Sequence, residues 1–169
     1  MSTQPSNGAV ATLPARVKPP FLRRVRIRNY KSIAFCDVTL EPLTILVGRN
    51  ASGKSNFLDA LAFLRDVLVR GLHHAVKAHG GREAIFHKGS SGECVEIEVE
   101  AAGERLRAGA VTFAIAIEAG SRGTVTLASE TFQMPREEYG RTESYRVDHG
   151  AILPIAGSPS PASTLSIEK

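Results

Sequence analysis

Eight consecutive residues, Gly48, Arg49, Asn50, Ala51, Ser52, Gly53, Lys54 and Ser55, satisfy the spacing GxxxxGK[ST], a pattern suited to gripping a chain of phosphates. Glycine at 48 and 53 lets the backbone turn through conformations closed to most side-chain-bearing residues, so that successive N–H groups point into one cavity. Unpaired N–H groups from Gly53 onward add the positive end of a helix dipole. Lys54 supplies a mobile point charge for β- and γ-phosphates, and the Ser55 hydroxyl is placed to ligate Mg²⁺. The expected ligand is therefore ATP with Mg²⁺. Chance matches to this pattern arise in roughly one chain per hundred of this length, so the elements around it decide its meaning.

Those elements fit the chemistry. Residues 43–47 (LTILV) form a short continuous apolar run that predicts a buried strand leading into the loop. Behind the loop, Phe57, Leu61, Leu64 and Leu68 recur at helical spacing, which predicts one apolar helix face, with Gly71 ending or kinking the helix. Upstream, residues 22–29 and 33–40 read as two strands. Downstream, residues 72–78 read as a short helix closed by Gly80 and Gly81. Period-two alternation over 95–100 and 111–118, a hairpin into 124–134 and a segment at 143–147 predict antiparallel strands. Residues 1–20 read as a flexible leader, 21–150 as the folded part, and 151–169 as a loop-like tail.

The chain has 169 residues, enough for one core-bearing domain, with 43% hydrophobic and 22% charged residues. It lacks an apolar run long enough to span a bilayer or act as a secretory signal, so a cytoplasmic location without membrane contact is expected. Cys36 and Cys94 have no metal-site spacing, and His73, His74, His79, His87 and His149 share no ligand face. Charge is uneven: through Lys54, nine basic residues oppose only Asp37 and Glu41, leaving +7 there and −3 beyond within an overall +4. Such asymmetry suits a polyanion partner such as DNA. Strand alternation offers a plainer reading, in which Arg24, Arg26 and Arg28 are a solvated face and Val25 and Ile27 point inward.

The stretch VRIRNYKSI, followed by LTILVGRNASGKSNFLDALAFLRD, resembles the N-terminal half of SMC/RecF-type ABC ATPases, including the OLD-like group of AAA-type proteins. The match lies in Tyr30-Lys31-Ser32, in residues 48–56 as a Walker A loop, and in Leu58-Asp59-Ala60-Leu61. It is close over residues 22–70 and one of pattern only beyond. The resemblance implies an α/β fold: a P-loop NTPase, ABC-like N-terminal lobe with antiparallel strands around the Walker A helix. It also implies that Asn50 orders the loop and extends the cofactor-binding set to Asn56. Ala51 stands where the family often has glycine.

The family also requires a Walker B strand ending in Asp-Glu, an LSGGQ-like signature helix and a later histidine. None is found, so no catalytic residue is assigned in this chain. Residues 114–118 (AIAIE) mimic Walker B without its Asp, and alternation makes them an exposed strand end. Residues 89–93 (GSSGE) mimic the signature but lead into a strand. Gln133 is a candidate for the glutamine that links Mg²⁺ to the signature lobe; a solvated strand residue is the plainer reading. The chain is therefore expected to be the nucleotide-binding half of an ATPase that needs a C-terminal half or a homodimer partner. The alternatives are a non-catalytic module paired with a separate half, and a transporter ATPase fragment.

Overall fold

The computed structural model describes residues 21–88, 94–103, 110–136, 141–148 and 151–153. The expected leader, the GSSGE mimic and the tail beyond residue 153 lie outside the described residues.

Strands β1 (Phe21–Tyr30) and β2 (Ile33–Thr39) form a hairpin, followed by helices α1 (Lys54–Arg70), α2 (Leu72–Ala78) and α3 (Arg82–Ile85). Then come β3 (Val95–Ala102), β4 (Ala110–Ala119), β5 (Val125–Arg136), β6 (Arg141–Asp148) and β7 (Ala151–Leu153). They make one seven-stranded sheet in the order β2-β1-β3-β4-β5-β6-β7, every pair antiparallel. The fold is mixed α/β, as expected. The sequence pattern did not show α3, and β7 occupies the start of the segment read as a loop-like tail.

Alternation sorts the two faces of the sheet. Val25 and Ile27 of β1, Val95 and Ile97 of β3, and Ile115 and Ile117 of β4 are buried and pack with Phe57, Ala60, Phe63 and Leu64 of α1 in one core. On the opposite face, register pairs Arg24, Arg26 and Arg28 with Glu100, Glu98 and Glu96. Arg24 grips the Asp37 carboxylate with two bonds of 2.8 and 2.6 Å, Arg26 reaches Glu98 at 2.7 Å, and Arg28 lies 3.6 Å from Glu96. The basic stripe is thus a cross-strand ion ladder, and its charge is largely neutralised within the sheet. Arg24 above all, with Arg26, holds the Asp37 carboxyl down at about 2 against the opposing cost of desolvation.

Two expectations are corrected. Residues 43–47 form no strand: Leu43, Ile45 and Val47 are 82%, 75% and 87% exposed. An apolar run buries itself only where neighbouring strands cover both faces, and no described strand pairs with this one. The inward face of α1 runs through Phe57, Ala60, Phe63 and Leu64, with Leu61 only partly buried and Leu68 58% exposed. Leu58, Leu68 and Val69 leave a second apolar surface open on this helix.

Candidate functional site

The loop at residues 48–55 connects that exposed segment to α1. Gly53 precedes the helix at φ 90°, in the left-handed region that glycine enters without strain. No side chain caps α1 and no acidic residue stands in its first turn, so its first N–H groups remain available to an anion. Gly48 allows a close approach: a Cβ there would lie 2.9 Å from Ser52 Oγ. Lys54 curls back over the loop, donating from Nζ to the carbonyl oxygens of Gly48 and Arg49 at 2.7 Å each and to Ser52 Oγ at 3.1 Å. One cavity of about 430 Å³ is lined by Ser32 together with Asn50, Ala51, Ser52, Gly53, Lys54, Ser55 and Asn56. The structure thus gathers seven of the expected residues around one space, with the Arg49 and Gly48 carbonyls bound by the same lysine.

Ala51 adopts φ 66°. A side chain in the left-handed region is strained, which gives a physical reason for glycine at the equivalent place in related loops. Ala51→Gly is expected to raise stability by about 0.5 kcal/mol, the relief of strain being partly offset by the greater freedom of glycine in the unfolded chain. Thermal denaturation reads this directly.

The turn between β1 and β2 closes one side of the cavity. Asn56 Nδ2 donates to Ser32 Oγ at 2.6 Å, and Ser32 and Ile33 lie against Gly53. Tyr30 is fully buried and its hydroxyl donates to Asp59 at 2.7 Å, while Lys31 Nζ meets the same carboxylate at 2.6 Å. His79, at the end of α2, lies between Asp59 (Nδ1, 3.0 Å) and Asp66 (Nε2, 3.1 Å), with its ring edge-on to Phe63. Burial works against ionisation of Asp59, yet hydrogen bonds from Lys31, Tyr30 and His79 outweigh it and hold its pKa below the ordinary carboxylate value. Hydrogen bonds from His79 and Arg65 do the same for Asp66.

Sequence reasoning missed this network. Its one signal is the seven-residue spacing of Asp59 and Asp66, two turns along a helix otherwise rich in apolar residues.

Gln133 sits elsewhere. It is exposed on β5, and register carries it through Thr112 and Glu100 to Arg24, on the sheet face opposite α1. Arg24 is six residues from the Tyr30 end of β1, about 20 Å along the strand, so Gln133 does not join the loop. Residues 114–118 lie inside β4 with Ile115 and Ile117 buried, an ordinary half-buried strand. No cluster of three or more metal-ligating side chains occurs among the described residues. Cys36 and Cys94 are free and half-buried, and burial raises both thiols, Cys94 to about 11. No helix among the described residues is long and apolar enough to cross a membrane.

Comparison with known proteins agrees with the resemblance read from the loop and its flanks. The family model for the AAA ATPase domain matches residues 21–126. The DNA replication and repair protein RecF of Gloeobacter violaceus is 34% identical over 121 residues, covering 71% of this chain. The chain spans 29% of that relative's length. On these matches the chain belongs to the AAA ATPase domain family, with a RecF-like N-terminal region.

Proposed function

We propose that residues 48–55 are a Walker A loop, that the chain binds ATP with Mg²⁺ through it, and that the fold is the ABC-like N-terminal lobe of a P-loop ATPase. The observation that carries this reading is the loop itself: an uncapped helix N-terminus, left-handed positions at Ala51 and Gly53, and the Lys54 ammonium folded over the cradle. These features suit a polyphosphate. Ser55, at the cavity wall in the first turn of α1, would hold the Mg²⁺ ion, which would neutralise charge between the β- and γ-phosphates. Asn50 would order the loop, and Asn56 ties it to Ser32.

Hydrolysis needs groups that this reading does not find here, namely a carboxylate to polarise water and a signature helix. They would come from a C-terminal half, whether in the same polypeptide, in a separately encoded protein, or contributed across a homodimer. The exposed run at 43–47 favours such a partner. Together with β2 it borders a groove of about 550 Å³ whose apolar side is formed by Ile33, Phe35, Val38, Leu46, Val47 and Phe57 and whose other side is the loop itself, through Gly48, Ser52, Gly53 and Lys54. An uncovered apolar segment beside a nucleotide loop is where a partner's surface would pack. A pure preparation of the chain is therefore expected to bind Mg·ATP without measurable turnover. Steady release of phosphate by the isolated chain, absent from Lys54→Ala, would contradict this.

DNA is a further proposed partner and repair a proposed role, both supported by the name of the RecF relative; phage defence is the alternative role that the OLD-like resemblance implies. The arginine stripe lends it little support, because Arg24, Arg26 and Arg28 already face carboxylates. Affinity for duplex DNA that falls steeply with salt would support it, and no affinity at low salt would remove it.

A further inference from the structure

Ser32 is the point where the hairpin turn meets the phosphate loop, and its position is set by strained backbone. Asn29 and Lys31 both have positive φ, 56° and 51°, on either side of the buried Tyr30. Asparagine tolerates this region; lysine has no local hydrogen bond to offset the strain and keeps such a conformation only where its surroundings hold it. Two sets of contacts do so here. Along the backbone, Lys31 N donates to the Ile85 carbonyl at 2.9 Å, and His87 N donates to the Asn29 carbonyl at 2.9 Å. Through side chains, Asp59 accepts from both the Tyr30 hydroxyl and the Lys31 ammonium, and is itself braced by His79. Asp59 stands on α1 one turn beyond Ser55 and is not among the residues lining the loop cavity.

We propose that Asp59 is a positioning residue for nucleotide binding. By holding Tyr30 and Lys31 it keeps the left-handed turn in place, and so keeps Ser32 against Gly53 and Asn56 at the wall of the phosphate cavity. The inference rests on the phosphate-loop reading and adds a residue that acts on the bound phosphates only through others. Lys31 shares the role, since its ion pair with Asp59 spans from the turn to the helix.

The test compares wild type, Asp59→Asn, Lys31→Met and the double variant by calorimetry, with Mg·ATP and with inorganic tripolyphosphate as ligands. Folding is followed by circular dichroism and thermal melting. Asp59→Asn keeps the shape and an acceptor for Tyr30 while removing the charge that Lys31 needs. Each single variant is expected to bind both ligands about tenfold more weakly, with the double variant no weaker than either, as for two ends of one interaction. Parallel loss for the two ligands places the effect at the phosphates. Variants that melt earlier yet bind within twofold of wild type would show a purely structural role and overturn the proposal. If Asp59→Asn does not fold, Lys31→Met alone decides by the same criterion. A wild-type chain that binds neither ligand would overturn the phosphate-loop reading and this role with it, an outcome distinct from unchanged variants.

Discussion

Replacing Lys54 by alanine is expected to weaken Mg·ATP binding by at least about a hundredfold, the loss of a charge-assisted contact of about 3 kcal/mol to the triphosphate. Nothing else described in the cavity wall carries a positive side chain: beside Lys54, the lining consists of hydroxyl, amide, methyl and glycine groups. The lysine also organises the loop, because its three donor contacts reach Gly48, Arg49 and Ser52. Those acceptors are exposed and can turn to water when the ammonium is removed, so the variant should retain its melting temperature within a few degrees. Calorimetry with both ligands, beside a thermal melt, separates the two effects. Affinity lost together with the fold would mean that Lys54 is chiefly a structural staple.

Removing His79 should have the largest effect on stability. The ring is nearly enclosed, with its side chain 9% exposed, and each nitrogen meets a carboxylate oxygen. His79→Ala removes both contacts and opens space beside Phe63, leaving Asp66 with Arg65 alone. The expected destabilisation is about 3 kcal/mol, typical of deleting a buried side chain and leaving its hydrogen-bond partners unsatisfied. Its pH dependence has a definite sign. Asp59 and Asp66 both have pKa values depressed in the folded state, so their contribution is complete above the unfolded carboxylate pKa of about 4 and is lost as pH falls through the lower folded values. Urea denaturation of wild type should therefore show stability declining below about pH 4. His79→Ala should be less stable at neutral pH and show a shallower acid decline. Equal acid slopes would contradict the linkage to these two carboxylates.

What could be read from the sequence follows the range of the interactions concerned. The motif at residues 48–55 was legible because its spacing lies in adjacent residues, with Gly53, Lys54 and Ser55 within one helical turn, and the structure gathers them on one cavity; phosphate binding there is the proposal. Strands β1, β3 and β4 were legible because alternation at Val25, Ile27, Ile97, Ile115 and Ile117 records directly which side faces the core. The same alternation identified Arg24, Arg26 and Arg28 as outward, while their partners Asp37, Glu98 and Glu96 came only with the strand register. Residues 43–47 have a strand's composition, but composition reports what a segment can bury, and burial needs a neighbour. The face of α1 was misjudged at Leu68 because the helix offers two apolar stripes, and spacing alone does not say which one the sheet takes.

The buried network was hidden for a related reason. Asp59, Asp66 and His79 have ordinary surface chemistry when read singly, and their meaning depends on α2 folding back beside α1 after Gly71. The chirality of the turn at Asn29 and Lys31 was equally invisible, since neither residue type demands a positive φ. These long-range features hold the hairpin turn to the loop, whereas local ones form the loop.

The central claim, that residues 48–55 hold the phosphates of ATP, is tested most directly by mapping bound nucleotide on the backbone amides of the isotopically labelled chain by NMR. Titration with Mg·ATP is predicted to move the amide resonances of Gly48, Ala51, Gly53, Lys54 and Ser55 most, and that of Ser32 beside them, with tripolyphosphate reproducing the loop shifts and Lys54→Ala abolishing them. Saturable shifts centred elsewhere, or no shifts at millimolar Mg·ATP in a folded sample, would contradict it.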